Sequence, residues 1–568
     1  MKKNLLRIFV LALTTLIVGA TVNAIENSVY LGGQLRSAPN IADINGDGIK
    51  DIVIGSTDGK VFAVDMRGAI LWQYPEKGNL DGQVISTPAI GNVDRDPEPE
   101  IVFTCCNGWL YILGCDGSLK LQFNTGVISP TDDPAYYHVT YPCPVLSDVN
   151  DDGILDVVTI ANQDGDVNNT LMAISIDGAI LWETSEANRI AGGASPATGD
   201  LNNDGVDDIV VVSISNANVL YGVLRAFDGT TGALLWTYDA GHLAEPAFHD
   251  CSMSPVIGDI NNDGWNEVVF CYWYMTPPNQ IVELRALTHA GQRIWSKRYN
   301  PMLITASPTL SDVNGDSYLE VLTSQTYTKD QELFIHDRVG TLISSHIVYQ
   351  PPQIQHSTPV TGNGMRHIAA HLCGPADTTY TIDCVTGQKG KHATSGAMNS
   401  TAAVVDLDQN GDVEVVAGTD AGYLHIWSLT LSPIDETQGW PTFRFDARNT
   451  GCFKYESGEV LCMNPVKTQA SLAGYSCISG LRVTPNPAHG RARISLAVAD
   501  SSNKAVAASI YDIQGRFVRS LTLQAAAGQA VANWDCKDAE GRRVGSGVYL
   551  VSVRQAGKTV TGRLVVTQ

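Results

Sequence analysis

The chain has 568 residues, 44% of them apolar, and a formal net charge of -22. Its length favours two or more domains, and so acidic a balance argues against nucleic acid or anionic lipid as a partner. The 53 glycines, and short β-branched runs that end in Asp-Gly or Asn-Gly, are typical of an ordered, turn-rich chain. After the first twenty residues the sequence contains no convincing helical periodicity, so we expect an all-β fold.

Residues 1–24 have the features of a secretory signal peptide. Three cations precede the apolar run 8–20, and Val22-Asn23-Ala24 offers a small-residue cleavage site. An uncleaved membrane anchor is the alternative, although the run is short for a membrane span. We therefore expect an exported mature chain that starts near residue 25, has a net charge of -25 after loss of those three cations, and contains no transmembrane segment.

An internal repeat with a period near 50 residues covers residues 25–450. Each unit predicts four short strands, and four units end the fourth strand with a tryptophan. Four-stranded units at this period are typical of β-propeller blades. We expect eight blades, with seven as the alternative because one unit has Asn363-Gly364 in place of an acidic loop. The units start at Ser37, Ser86, Pro142, Ser195, Ser254, Ser307, Ser357 and Ser400.

Closing the ring requires a fourth strand for the last unit. Two segments can supply it: residues 28–31, at the mature N-terminus, or residues 442–445, after the last unit. The sequence leaves both open.

Seven units have a loop that follows or varies the pattern Asp-x-Asn-x-Asp-Gly-x-x-Asp, and all seven preserve side-chain oxygens at positions 1, 3, 5 and 9. Every loop offers three carboxylates and one amide. The predicted metal ligands are Asp43, Asn45, Asp47, Asp51; Asn92, Asp94, Asp96, Glu100; Asp148, Asn150, Asp152, Asp156; Asp200, Asn202, Asp204, Asp208; Asp259, Asn261, Asp263, Glu267; Asp312, Asn314, Asp316, Glu320; and Asp406, Asp408, Asn410, Glu414.

Oxygen donors at alternate positions of a tight loop suit Ca²⁺, which takes six to eight oxygen ligands. An EF-hand is disfavoured because the fourth acid stands at position 9 and strands flank the loop. The alternatives are hydrogen-bonded Asx turns without metal, and Mg²⁺. We expect about seven structural Ca²⁺ ions, which would reduce the charge of the loaded chain to about -11 and on which folding depends.

The series Ser-Pro, Asp-x-Asn-x-Asp-Gly-x-x-Asp, Ile-Val-Val-Gly and Asp-Gly-x-Val resembles the FG-GAP or VCBS repeats of bacterial surface proteins and of integrin α-subunit propellers. The resemblance covers residues 28–450. It implies a calcium-bound propeller that is used mainly for extracellular binding or adhesion.

Two aromatic insertions fall on connections opposite the acidic loops, in segments 132–141 and 270–278. Aromatic side chains on loops over a rigid scaffold suit recognition of a glycan or a protein. Packing against neighbouring blades is the alternative. The predicted ligand-binding residues are Tyr136, Tyr137, Tyr141, Tyr272, Trp273 and Tyr274.

The sequence gives weaker support for an enzyme than for a binding protein, so no catalytic residue is predicted. A calcium-dependent polysaccharide lyase on a propeller is the main alternative function. It requires a base in the central cleft, and His242, His249 and Asp250 are the candidates. Residues 226–236 also resemble a blade motif of quinoprotein dehydrogenases, without a matching set of cofactor ligands.

After a linker at 451–480, residues 481–568 predict a small Ig-like sandwich with strands at 492–498, 505–511, 517–523, 530–534 and 548–554. Its motifs include Pro485-Asn486-Pro487 and Ser546-Gly547-Val548-Tyr549. They resemble the type A sorting domain of the type IX secretion system, which is similar to the Ig-like domain of flagellar hook-capping proteins. The resemblance implies export through the outer membrane of a Gram-negative bacterium, with the secretion machinery as a partner, to the cell surface or the medium.

Overall fold

The protein is described from a computed structural model. The residues that the structure describes are 26–94, 96–126, 142–162, 169–184, 190, 194–216, 219–239, 249–250, 253–276, 279–299, 306–327, 330–349, 359–362, 368–371, 378–410, 413–429, 442, 444–453, 478–484, 488–489, 492–498, 506–512, 516–526, 529–538, 541–545, 547–555 and 558–567. Every regular element among them is a β-strand, which confirms the all-β prediction. Within these ranges, no helix is long and apolar enough to span a membrane. The chain divides into two compact units, Met1–Pro465 and Val466–Gln568.

The first unit is a β-propeller, and the described residues contain eight sheets that follow the repeat, seven with four antiparallel strands and one with six strands. We number these blades in chain order. Blades 1 to 4 comprise Asn40–Ala42, Asp51–Ser56, Lys60–Val64 and Ile70–Tyr74; Ala89–Gly91, Glu100–Cys105, Trp109–Leu113 and Leu119–Asn124; Val145–Ser147, Asp156–Asn162, Asn169–Ile174 and Ile180–Glu183; and Ala197–Gly199, Asp208–Asn216, Val219–Phe227 and Leu234–Asp239.

Blades 5 to 8 continue the pattern, and the unit that lacks an acidic loop forms a four-stranded sheet as well, blade 7. Their strands are Val256–Gly258, Glu267–Thr276, Asn279–Leu287 and Arg293–Tyr299; Thr309–Ser311, Glu320–Tyr327, Asp330–His336 and Leu342–Tyr349; Val360–Gly362, Ile368–His371, Thr378–Asp383 and Lys389–Ala393; and Ala403–Val405, Val413–Gly418, Tyr423–Leu429 and Glu26–Tyr30. Two short strands are added to blade 5: His249–Asp250 pairs antiparallel with Glu267–Thr276, and Cys452–Phe453 pairs parallel with Val256–Gly258.

The N-terminal segment closes the ring. Glu26–Tyr30 pairs antiparallel with Tyr423–Leu429, so that Tyr30 lies opposite Tyr423. Of the two segments that the sequence left open, the structure therefore uses the N-terminal one. The core of the ring is formed by side chains between adjacent sheets, such as Ile52 and Ile54 of blade 1 against Val416 of blade 8.

The other segment, residues 444–453, has a different role. The first strands of neighbouring blades contact each other and are therefore the innermost strands of the ring. Residues 444–453, which we call the axial segment, run across these strands and accept a backbone hydrogen bond from blades 2, 3, 4 and 5 in turn. The donors are the backbone N–H groups of Ile90, Leu146, Thr198 and Ile257, at 2.6–3.0 Å from the accepting oxygens.

Two side chains of the axial segment are buried and bonded to the blades. Asn449 donates to the carbonyl oxygens of Thr87 and Pro144. Arg444, also buried, donates to the carbonyl oxygens of Pro196 and Pro255. Together these bonds tie the segment to four successive blades.

The serines that open the repeat units link neighbouring blades. The Ser195 hydroxyl oxygen accepts the backbone N–H of Cys143 at 2.9 Å, and the Ser254 hydroxyl accepts the N–H of Ser195 at 2.9 Å. Ser307 receives the N–H of Ser254 in the same way. This shared role explains why a serine recurs at the start of so many units.

Tryptophans inside four of the fourth strands connect their blades to the next blade; each is the third residue of its strand. Trp236 of blade 4 donates its indole N–H to the His289 carbonyl oxygen of blade 5 at 2.8 Å. Its ring covers Gly291, where an added Cβ would lie 2.7 Å from the indole. The same arrangement joins Trp72 to Gly117, Trp182 to Gly232, and Trp295 to Gly340.

Replacing Trp236 with alanine should therefore weaken the contact between blades 4 and 5. We expect Trp236→Ala to lower the free energy of unfolding by about 3–5 kcal/mol, because a large aromatic side chain and a hydrogen bond are lost together. Chemical denaturation of the calcium-loaded chain measures this. Leu234→Ala, on the same strand but with its side chain 47% exposed, is the control and should change the free energy by less than about 1 kcal/mol. Equal losses in the two variants would contradict the proposed role of the tryptophan.

The second unit is an Ig-like sandwich, as predicted. Its strands are Ile478–Thr484, Ala488–His489, Ala492–Val498, Val506–Asp512, Phe517–Ala526, Gln529–Trp534, Gly547–Gln555 and Lys558–Thr567. Phe517–Ala526 pairs with Val506–Asp512 along one part and with Gln529–Trp534 along another, which joins the two halves. The buried core includes Ile494, Ile510, Trp534 and Val551.

Candidate metal centres

The seven acidic loops connect the first and second strands of blades 1 to 6 and 8. In every one, the carboxylate at position 9 is the first or second residue of the second strand and is buried, with at most 3% of the residue exposed. One oxygen of this carboxylate accepts the backbone N–H of position 2, at 2.9–3.4 Å. The pairs are Ile44–Asp51, Val93–Glu100, Val149–Asp156, Leu201–Asp208, Ile260–Glu267, Val313–Glu320 and Leu407–Glu414.

The backbone of each loop folds around its own side chains, as the first loop shows. The N–H of Gly48 donates to Asp43 Oδ2 at 2.9 Å, and the N–H of Asp47 donates to Asn45 Oδ1 at 2.9 Å. The N–H of Ile49 in turn donates to Asp47 Oδ1 at 2.8 Å. These are Asx-type turns, as expected for such residues with or without a metal, and they fix the directions of the acidic side chains.

Two positions of the loop require the left-handed backbone region. Position 6 was predicted from its glycine, and Gly48, with φ of 86°, is an example. Position 4 was not predicted, yet Asp151, Asn203 and Asn262 all have φ between 55° and 60° there. Asp and Asn tolerate this conformation better than other residues with a side chain, which explains their presence at position 4.

Burial raises the pKa of the position 9 carboxyl in each of the seven loops. Desolvation, together with the carboxylates at positions 1 and 5, raises the pKa of Asp51 to about 7. The same causes raise the pKa of Asp156 to about 7, and those of Glu267 and Glu320 to about 8. A cation in the loop would remove this electrostatic cost.

The raised pKa values predict how the stability of the metal-free protein depends on pH. These carboxyls ionise near pH 4 in the unfolded chain. Their contribution to stability is therefore full below about pH 4 and is lost as the pH rises through 7–8. We expect the thermal midpoint of the metal-free protein to fall between pH 5 and pH 8, and the calcium-loaded protein to lose that decline. Scanning fluorimetry of both forms measures this, and a metal-free midpoint that is flat or rises over that range would contradict it.

Two oxygens in the blade 4 and blade 5 loops are buried without a hydrogen-bond partner. They are Oδ1 of Asp200, at position 1, and Oδ1 of Asn261, at position 3. A buried oxygen with no donor is costly unless something compensates it. A hard cation would satisfy these atoms, so the residues present fit a Ca²⁺ ion.

Two of the loops bring three carboxylates together closely enough to hold a metal ion. Among the described residues, carboxylate oxygens of Asp94, Asp96 and Glu100 lie within 4.8 Å of one another, as do those of Asp406, Asp408 and Glu414. In blade 8 the Ser428 hydroxyl also donates to Glu414, at 2.6 Å.

Lys120 is a residue of the blade 2 candidate site that was not predicted from the sequence. It lies in the fourth strand of blade 2, just after the turn that follows the third strand. Its ammonium bonds to all three carboxylates of the blade 2 cluster. This contact confirms that the acidic loops share a face with the turns between third and fourth strands. A comparison of fourth strands would have found it, because Leu71, Leu181 and Leu235 stand in the matching positions.

The predicted ligand-binding aromatics are only partly described. Tyr272, predicted as a ligand residue, is buried: it is 6% exposed, stacks on Phe270, and its hydroxyl donates to Glu283. It faces the neighbouring blade because alternate residues of its strand point into the space between the sheets. Trp273 and Tyr274 pair through the backbone with Asp250 and His249. Tyr136, Tyr137 and Tyr141 lie outside the described residues, as do the signal peptide and His242.

Comparisons with known proteins support the fold of the C-terminal unit and say little about the rest. Residues 484–558 match the family described as the FlgD Ig-like domain. No curated protein matches the chain.

Solved structures with a similar fold are distant. The biofilm matrix protein Bap1 of V. cholerae is 14% identical and aligns over 75% of this chain and 96% of its own, with a TM-score of 0.47. Quinohemoprotein alcohol dehydrogenase from Comamonas testosteroni is 12% identical over 72% and 77% of the two chains, with a TM-score of 0.46. Rhamnogalacturonan lyase YesW is 14% identical over 71% and 73%, with a TM-score of 0.43. Likenesses this weak do not bear on function.

Proposed function

We propose that the protein is an exported propeller whose acidic loops bind Ca²⁺ as structural ions and whose opposite face binds an extracellular glycan or protein. One observation carries the metal assignment. In blade 2 the chain itself supplies a cation, Lys120, at the point where the loop carboxylates converge. In blades 1, 3, 4, 5 and 6 the matching position is Leu or Ile, so a cation in these loops would come from solution.

Calcium is the ion that the donor set favours. Carboxylate and amide oxygens at positions 1, 3, 5 and 9 suit a hard cation, and the absence of histidine or cysteine from these positions disfavours zinc. The loops that would hold the ion are those of the FG-GAP or VCBS pattern. Each ion would tie the start of a second strand to the loop before it, which makes its role structural.

Terbium luminescence tests this assignment at one loop. Trp265 stands at position 7 of the blade 5 loop and is well placed to sensitise a Tb³⁺ ion bound there. We expect the metal-free full chain to sensitise Tb³⁺ emission, Ca²⁺ to displace it, and the double variant Asp263→Asn, Glu267→Gln to lose the Trp265-dependent part. Asp383→Asn, in an Asx turn of blade 7, is the control and should leave emission unchanged. Emission that is insensitive to the double variant would contradict binding in this loop.

The binding role is placed on the face opposite the acidic loops. With Tyr272 buried, the candidates that remain are Tyr136, Tyr137, Tyr141, Trp273 and Tyr274.

The axial segment also disfavours the lyase alternative, because residues 444–453 are bonded to the innermost strands where a central cleft would be needed. Calcium-dependent binding of the full mature chain to a glycan or matrix-protein array, without turnover, is expected. Release of unsaturated oligosaccharides would favour the lyase instead.

The C-terminal unit is proposed to direct export by the type IX secretion system. Its match to the FlgD Ig-like domain supports the fold that such sorting domains resemble. In a host with this system, deletion of residues 466–568 should retain the protein in the periplasm. Unchanged secretion of the truncated chain would contradict the proposal.

A further inference from the structure

We propose that Lys120 permanently takes the place of the bound cation in blade 2, so that the seven acidic loops hold six metal ions and not seven. This inference rests on the proposed calcium binding and refines it. The ammonium nitrogen of Lys120 lies 2.8 Å from Asp94 Oδ2, 3.0 Å from Asp96 Oδ2 and 2.5 Å from Glu100 Oε1. An ammonium has three donors, and all three are used here.

The position of Lys120 is structurally equivalent in six blades. In each, the register between the third and fourth strands shifts near the start of the fourth strand, in a bulge that inserts one extra residue into that strand. That residue is Lys120 in blade 2, where the bulge separates the pairs Ile112–Leu121 and Leu113–Leu119. In the other five blades it is Leu71, Leu181, Leu235, Ile294 and Ile343.

These five apolar residues are exposed by 37–46%, so they are not needed to fill a core. A lysine at the same bulge has a stem long enough to place its ammonium among the loop oxygens, as blade 2 demonstrates. Blade 2 therefore differs from its neighbours in one decisive feature, a cation that belongs to the chain.

The blade 2 loop has also lost features that shape the other loops. Position 1 is Asn92, and its amide nitrogen donates to the Asp96 carbonyl oxygen. Position 6 is Pro97, which has no N–H. In five other loops the N–H at position 6 donates to the position 1 carboxylate, as Gly153 does to Asp148 at 2.8 Å. Both partners of that bond are missing in blade 2, as expected if its loop no longer has to encircle an ion.

A metal ion in this loop would compete with the ammonium for the same three oxygens. It would also lie within a few ångströms of a positive charge, where repulsion is strong in a half-buried site. The buried Glu100 carboxylate, which is the hardest of the three to leave uncompensated, already has its counter-charge in Lys120.

Exchanging lysine and leucine between position 120 of blade 2 and position 71 of blade 1 tests the inference. Calcium bound per full-length chain is counted by equilibrium dialysis and elemental analysis, in saturating Ca²⁺. Relative to the wild-type chain, Lys120→Leu should bind one ion more and Leu71→Lys one ion fewer, and the double variant should bind the wild-type number. Lys77→Leu, which removes an exposed lysine of blade 1 away from the loops, is the control and should change nothing.

The outcomes distinguish failure of the proposed role of Lys120 from failure of the proposed calcium binding. A wild-type chain that binds no calcium would overturn the proposed metal binding itself. A wild-type chain that binds seven ions, with Lys120→Leu unchanged, would leave calcium binding intact and overturn the role of Lys120. An unchanged count in Leu71→Lys would do the same, since it would show that a lysine at the bulge does not displace the ion.

Discussion

Removing calcium is expected to lower the thermal midpoint of the propeller by about 20 °C or more. An ion held at a concentration 100 times its dissociation constant stabilises a folded protein by about 2.7 kcal/mol. Six such sites would contribute about 16 kcal/mol, which is comparable with the entire stability of a typical domain. Losses of that size correspond to shifts of tens of degrees.

Scanning calorimetry at pH 7.5, with excess Ca²⁺ or with a chelator, measures the effect. The C-terminal unit is an internal control, because residues 481–568 contain no copy of the acidic loop and its transition should not move. Excess Mg²⁺ in place of Ca²⁺ is expected to restore only part of the midpoint, since Mg²⁺ requires stricter octahedral geometry. A propeller transition that is the same in both solutions would refute a structural role for the ions.

Replacing Arg444 should cost more than replacing any exposed arginine. Burial lowers the pKa of Arg444 to about 10, so its guanidinium stays charged at neutral pH inside the ring. Its bonds to the Pro196 and Pro255 carbonyl oxygens join the axial segment to blades 4 and 5. We expect Arg444→Ala to lower the free energy of unfolding by about 2–4 kcal/mol, because two buried acceptors lose their donors and a cavity forms.

Denaturant unfolding in saturating Ca²⁺ measures this loss without interference from metal release. Arg67→Ala is the matched control, because the Arg67 side chain is exposed, and its effect should stay within about 0.5 kcal/mol. Arg444→Lys should recover part of the stability, since one ammonium cannot reach both oxygens as the planar guanidinium does. If Arg444→Ala unfolds with the same free energy as Arg67→Ala, the axial segment does not hold the blades together.

Much of the fold could be predicted because the same strand and loop pattern recurs in successive repeat units. The strand starting at Asp51 has a buried β-branched run, and the acidic loop before it recurs in seven units. Repetition separates such a pattern from chance and places every strand of a blade relative to the next. The weakest copy, at Ser357, still forms a sheet because its neighbours supply the surfaces against which it packs.

Features that depend on contacts distant in sequence could not be predicted in this way. The choice between the two closing strands depends on pairing with Tyr423–Leu429, some 400 residues away, and both segments are compatible with a strand. The axial segment occurs once, so no repeat exposes its role. Three strands of the C-terminal unit, Ile478–Thr484, Ala488–His489 and Lys558–Thr567, were also missed, because they lie near the ends of the predicted domain.

The candidate sites also differ in whether they could be predicted from the sequence. The acidic loops were recognisable from spacing alone, whereas the burial of Tyr272 follows from which side of its strand faces blade 4, and an aromatic run does not indicate that. The contact of Lys120 with the acidic loop could not be predicted from the sequence, because it depends on how the fourth strand of blade 2 lies relative to that loop. A residue that differs from its counterparts in the other repeat units indicates a function only when the structure shows what that position contacts.

Anomalous scattering from crystals of the calcium-loaded chain tests the central claim most directly. Data collected at a wavelength where calcium scatters anomalously locate each ion without reference to the protein coordinates. Peaks are predicted in the acidic loops of blades 1, 3, 4, 5, 6 and 8, each among the oxygens of positions 1, 3, 5 and 9, with none in blade 2. A map without peaks in these loops, from crystals grown in excess calcium, would contradict the account.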